Sequence, residues 1–147
     1  TQTAWAPGEV IKTTVLVGSD LTGSNPTTIN STSDTDVASY SYTPVSSNSY
    51  ILIEFQTRYT IAGAAEDNYI SRIAVDGAEQ SYGQQYWING SGGGTRSGVL
   101  FPLMARYTNS NTSAKTISVT VRRGVSDDNA TVQKDSTTVM KITEIGR

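Results

Sequence analysis

The feature of this chain that most restricts its fold is a side-chain alternation of period two that returns from one end to the other. It is clearest from Tyr50 to Tyr59, where Ile51, Ile53, Phe55, Thr57 and Tyr59 share one face and Leu52, Glu54, Gln56 and Arg58 share the other. Successive side chains of an extended chain point to opposite sides, whereas a helix repeats every 3.6 residues, so this spacing predicts strands with one face buried. Val99, Phe101, Leu103, Ala105 and Tyr107 form a second row, opposed by Leu100, Pro102, Met104 and Arg106. Proline donates nothing to a strand ladder, so Pro102 predicts an edge or a bulge there.

Ile117, Val119 and Val121 alternate with Thr116, Ser118 and Thr120, and Met140, Ile142 and Glu144 alternate with Val139, Lys141 and Ile145. Glu9 to Val17 is a β-branched stretch, Asp36 to Tyr42 alternates around its tyrosines, and Tyr69 to Val75 is another period-two run. Asp76-Gly77 follows at once. That dipeptide suits a type I′ turn, which needs positive φ at both central residues, so Ala78 to Ile88 is expected to return antiparallel. Turn chemistry fills Gly18–Asn25, Ser46–Ser49, Ala62–Asp67, Asn89–Gly94, Asn109–Ala114 and Gly124–Ala130, and none of these segments reads as a helix.

Eight or nine short strands between regular turn signals predict one all-β domain over residues 1–147, an antiparallel, jelly-roll-like β-sandwich. Composition agrees. The 39 Ser and Thr residues among 147 compete with helix hydrogen bonds and favour strands and turns. A chain of this length can bury a core without disulfides or metal.

Having neither histidine nor cysteine, the chain has no Ser-His-Asp or Cys-His nucleophile, zinc finger, iron–sulfur cluster or redox thiol. Eleven basic residues against thirteen acidic ones give a net charge of −2, with no basic concentration beyond Arg122-Arg123. Phosphate binding needs the reverse balance, so nucleic acid is not an expected partner. No run approaches the roughly 20 apolar residues of a membrane span, and membrane insertion is not expected. No cofactor is implied.

Glu66-Asp67, Asp127-Asp128 and Asp34-Thr35-Asp36 offer carboxylates that suit solvated turns far better than catalysis. Neighbours in sequence are not the two converging carboxyls a glycosidase needs, and none of the three runs carries the calcium loop of an EF-hand. Gly90 to Thr95 lacks the lysine and the helix of a phosphate cradle and reads as a hairpin tip. Tyr82, Tyr86 and Trp87, with Gln84, Gln85 and Asn89 beside them, combine stacking surfaces with amides, the pairing that sugars require, although such aromatics also fill cores and subunit interfaces. On that basis Gln85, Trp87 and Asn89, with Arg96 across the glycine-rich loop, are the candidate glycan-contacting residues.

Three stretches resemble a domain frequent in tailed bacteriophages, especially marine and cyanobacterial ones. They are Trp5-Ala6-Pro7-Gly8-Glu9-Val10-Ile11-Lys12, Ser49-Tyr50-Ile51-Leu52-Ile53-Glu54-Phe55, and Thr138 to Gly146 ending in Thr143-Glu144-Ile145-Gly146. The family's second motif carries Ser-Lys where this chain has Ser49-Tyr50, and its last carries Met where this chain has Thr143. The resemblance implies a non-enzymatic virion protein, assembled in the host cytoplasm alongside other virion proteins, with a sandwich fold and a homotrimeric state. Such a domain is expected at a tail-fibre or tailspike tip that recognises a host surface glycan. The alternative is a capsid decoration protein, and a carbohydrate-binding module is a third reading. A trimer would bury Leu52 against a neighbour.

Overall fold

A computed structural model describes residues 4–62, 66–88, 96–124 and 129–147, with backbone alone at 61–62, 66–67, 82–88 and 96–101. Ten strands are described: β1 (Val10–Val17), β2 (Thr27–Ile29), β3 (Thr35–Tyr42), β4 (Ser49–Ala62), β5 (Glu66–Val75), β6 (Ala78–Ile88), β7 (Arg96–Asn109), β8 (Lys115–Arg123), β9 (Asn129–Val132) and β10 (Val139–Gly146). One 3-10 turn, Gly18–Asp20, follows β1. The count exceeds the eight or nine expected because the outer strands are broken: β9 and β10 lie end to end along one edge of β4, with β2 and β1 beyond them.

The pairings are nested. β1 pairs with β10, β2 with β9, β3 with β8, β4 with β7 and β5 with β6, all antiparallel. The chain is thus one long hairpin closed at Asp76-Gly77, where φ is 50° and 80°, the positive values expected of that turn. Three further pairings, β10 with β4, β9 with β4 and β5 with β8, roll the hairpin into two sheets. One runs β1-β10-β4-β7 and the other β3-β8-β5-β6, which is a jelly roll.

Alternation decides what each sheet buries. Ile51, Ile53, Phe55, Thr57 and Tyr59 of β4 are buried, as are Ile117, Val119 and Val121 of β8, and Met140 and Ile142 of β10. Each large apolar side chain withdrawn from water in this way contributes on the order of 1.5–3 kcal/mol before conformational entropy is set against it. Pro102 sits in β7, which pairs only with β4 among the described residues, so the edge reading holds. Two expected loops are shorter than predicted, since Glu66 and Asp67 already belong to β5 and Asn129 opens β9.

The three stretches on which the resemblance rests meet at one end of the sandwich. Gly8 N–H donates to the Gly146 carbonyl at 2.9 Å, Gly146 N–H donates to the Glu9 carbonyl at 2.8 Å, and the Glu9 carboxylate accepts from Ala6 N–H at 3.0 Å. A Cβ at Gly146 would collide with the Ala6 carbonyl, so only glycine fits that position. Glu144, fully buried, accepts four bonds of 2.8–2.9 Å, from Tyr42 Oη, Val45 N, Ser46 N and Ser49 Oγ. These motifs fasten the terminal strands and the β3–β4 loop together.

Candidate functional site

The outer face of β3-β8-β5-β6 gathers polar side chains from several strands. Two rows cross all four strands by direct pairing, Asp36–Thr120–Arg72–Tyr82 and Ser39–Ser118–Ala74–Glu79. Residues directly opposite one another share a face of the sheet, so the pairing brings Asp36 and Ser39 of β3, Ser118 and Thr120 of β8, Arg72 of β5 and Glu79 of β6 to one surface. Thr116 extends β8's outer row, and its N–H is held by Asp76 Oδ1 at 2.8 Å. The result is a groove of about 400 Å³ lined by Asp34, Asp36, Ser39, Arg72, Glu79 and the β8 hydroxyls of Thr116, Ser118 and Thr120.

Its walls are fixed by ion pairs. Arg72 Nη1 lies 3.0 Å from Asp34 Oδ2 and its Nε 3.0 Å from Glu79 Oε2, while Arg122 Nε approaches Asp34 Oδ1 at 3.5 Å. Two of the groove's three carboxylates are therefore engaged by guanidinium groups. The Asp36 carboxylate and the hydroxyls of Ser39, Thr116, Ser118 and Thr120 have no partner among the described residues. Hydroxyls both donate and accept, and a carboxylate accepts through two oxygens, so the floor offers a mixed set of hydrogen-bonding groups to an incoming ligand.

The acidic run Asp34-Thr35-Asp36 thus divides its labour, Asp34 serving the ion pairs and Asp36 facing the groove. Among the described residues no group of three acids converges as a metal site would require. The side chains of Glu66 and Asp67, and the whole of Asp127-Asp128, lie outside the described residues.

The candidate residues chosen from the sequence fall elsewhere along the chain. In β6, Gln85 pairs with Tyr69 and Trp87 with Asp67, and in β7 Arg96 pairs with Ile61. The side chains of Gln85, Trp87 and Arg96, and all of Asn89, lie outside the described residues, as does the glycine-rich segment. The groove was not foreseen. Its hydroxyl row is visible in the alternation of β8, but Asp36 and Arg72 join it only through strand pairing.

Fold and groove together define a jelly-roll β-sandwich with one hydroxyl-rich face. No protein-family profile matches the chain, and no curated protein does. Among solved structures it is similar to the CBM36-1 domain of a multidomain xylanase from the hindgut metagenome of Trinervitermes trinervoides, at 16% identity and a TM-score of 0.41, over 89% of this chain and 96% of that one. It is also similar to dimeric latent PorU from Porphyromonas gingivalis, at 8% identity and a TM-score of 0.52, over 97% of this chain and 13% of that one. At such identities the likeness is one of fold.

Proposed function

We propose that this domain is a non-catalytic binding module for a glycan, held along the outer face of β3-β8-β5-β6. The observation that carries this reading is the gathering, in one groove, of Asp36, Ser39, Thr116, Ser118 and Thr120, whose side-chain polar groups have no partner among the described residues. A sugar presents hydroxyls that need donors and acceptors at close spacing. Asp36 can accept from two adjacent hydroxyls, and the Ser and Thr rotors adjust to whichever lone pair or proton faces them. Arg72, clamped between Asp34 and Glu79, gives the groove a rigid wall and lowers the ordering cost of binding.

Binding is favoured over hydrolysis by the same inventory. Two-carboxylate cleavage needs a second uncommitted acid facing the first, and Asp34 and Glu79 are both tied to Arg72. From the resemblance of its three short stretches we further propose a position at the tip of a phage tail fibre or tailspike, adsorbing to a host surface glycan, with capsid decoration as the alternative. Imaging virions that carry a C-terminal label separates a tail-tip signal from a lattice signal.

The groove itself is tested by calorimetric titration against a panel of neutral and acidic polysaccharides. Asp36→Ala and Thr120→Val are each expected to weaken association about tenfold, the worth of one ligand hydrogen bond. Their thermal midpoints should stay near that of the parent, since both side chains lie outside the core. Loss of binding in Trp87→Ala with Asp36→Ala unaffected would move the site to β6 and the adjoining loop. Absence of binding to every polysaccharide would end the glycan reading.

A further inference from the structure

The sheet opposite the groove carries a different surface. Of the six large hydrophobic side chains exposed among the described residues, Val10, Val15, Val17, Met104 and Val139 belong to β1-β10-β4-β7. Val15 is 61% exposed and Met104 71%. Register arranges the outer face in rows across the four strands. Val17, Val139, Gln56 and Pro102 form one row, Val15, Lys141, Glu54 and Met104 the next, and Thr13, Thr143, Leu52 and Arg106 a third. A concentration of exposed apolar side chains on one sheet face marks an interaction surface.

The charges in these rows indicate what covers it. Lys141 Nζ lies 3.3 Å from Glu54 Oε2, and the two occupy the middle row on the two central strands. A two-fold axis lying in the interface, along the strands between β4 and β10, exchanges those two columns. Each Lys141 then faces the other copy's Glu54, Val15 faces Met104, Val17 faces Pro102, and Thr143 faces Leu52. Under that one rotation each charge meets its opposite and Val15 and Val17 meet apolar partners, the self-matching that a symmetric two-fold contact requires. A slip by one row along the strands sets Lys141 against Gln56 or Leu52 and Glu54 against Val139 or Thr143, so the four-charge cluster fixes register while the apolar side chains supply affinity.

We propose that the outer face of β1-β10-β4-β7 joins two copies of this chain about that axis. The pairing buries Leu52 as the trimer expected from the resemblance would, but a three-fold assembly closes through unlike patches and leaves the self-complementary match unused.

Sedimentation equilibrium of the full chain at micromolar concentration tests this. The parent should show a mass of two chains, and Met104→Glu should raise the dissociation constant on the order of tenfold or more with an unchanged circular dichroism spectrum. Glu54→Lys alone and Lys141→Glu alone should each dissociate, because each places like charges across the axis. An equimolar mixture of those two variants should recover a two-chain species, which an effect confined to one chain could not produce. A parent monomer, a three-chain mass that survives Met104→Glu, or a mixture no more associated than its components would each overturn the proposal.

Discussion

Glu144 tolerates full burial because four donors converge on it, two to each oxygen. Oε2 accepts from Tyr42 Oη and Val45 N, and Oε1 from Ser46 N and Ser49 Oγ. Glu144→Gln keeps the volume yet turns one oxygen into an N–H₂ group that faces a backbone N–H, of Val45 or of Ser46, whichever way the amide is placed. A cost of about 3 kcal/mol is expected, because buried donors then lose their acceptor. Tyr42→Phe removes a single bond to the carboxylate and should cost about 1.5–3 kcal/mol. Urea midpoints at neutral pH check both, and a Glu144→Gln protein as stable as the parent would contradict the four-donor account. Alternation alone places Glu144 in the inward row with Met140 and Ile142. Its partners were not legible, since Tyr42 lies 102 residues away in sequence and only strand pairing brings it near.

Strands were legible where the alternation runs long enough to choose a face. β4 is the strongest case: Ile51, Ile53, Phe55, Thr57 and Tyr59 are all buried, and Glu54 and Arg58 turn outward to ion pairs with Lys141 and Asp135. Phe55→Ala is expected to cost about 3–5 kcal/mol, the transfer free energy of the ring plus a cavity that a two-sheet core fills poorly. An unchanged denaturant midpoint would mean that β4 presents its other face to the core. The second alternating row likewise predicts Phe101 as a core residue, and its side chain lies outside the described residues. Short elements were not legible, because three residues of β2 or four of β9 contain too little of a period to register. Those strands exist because β4 extends beyond the end of β10 and offers β9 an open edge, which β2 then borders. The groove escaped the sequence for the same reason. Thr116, Ser118 and Thr120 announce a polar face, but its companions are set by which strands flank β8.

At the scale of the whole molecule, two tyrosines tie one sheet to the other across the core. Tyr42 of β3 reaches Glu144 of β10 at 2.9 Å near the β3–β4 loop, and Tyr59 of β4 reaches Ser71 of β5 at 2.8 Å toward the other end. Burial pushes the Tyr42 phenol well above its ordinary range, and the bond to Glu144 pushes it further. Burial does the same to Tyr59, with the Ser71 bond opposing part of the effect. In the unfolded chain both phenols ionise near pH 10. Above that pH the unfolded state releases protons that the folded state retains, so the stability associated with these groups is fully present below about pH 10 and is lost as pH rises toward their folded values. Both bridges therefore respond to alkali in the same sense. The measurement is a set of denaturant midpoints taken upward from about pH 8 for the parent, Tyr42→Phe and Tyr59→Phe, with tyrosinate absorbance followed alongside. Each variant lacks one of the two groups, so its stability should fall less steeply above about pH 10 than the parent's, and tyrosinate from the buried phenols should appear only together with loss of the folded signal. Identical slopes in all three proteins, or full tyrosinate absorbance while the sandwich is still folded, would show that neither phenol is held protonated between the sheets.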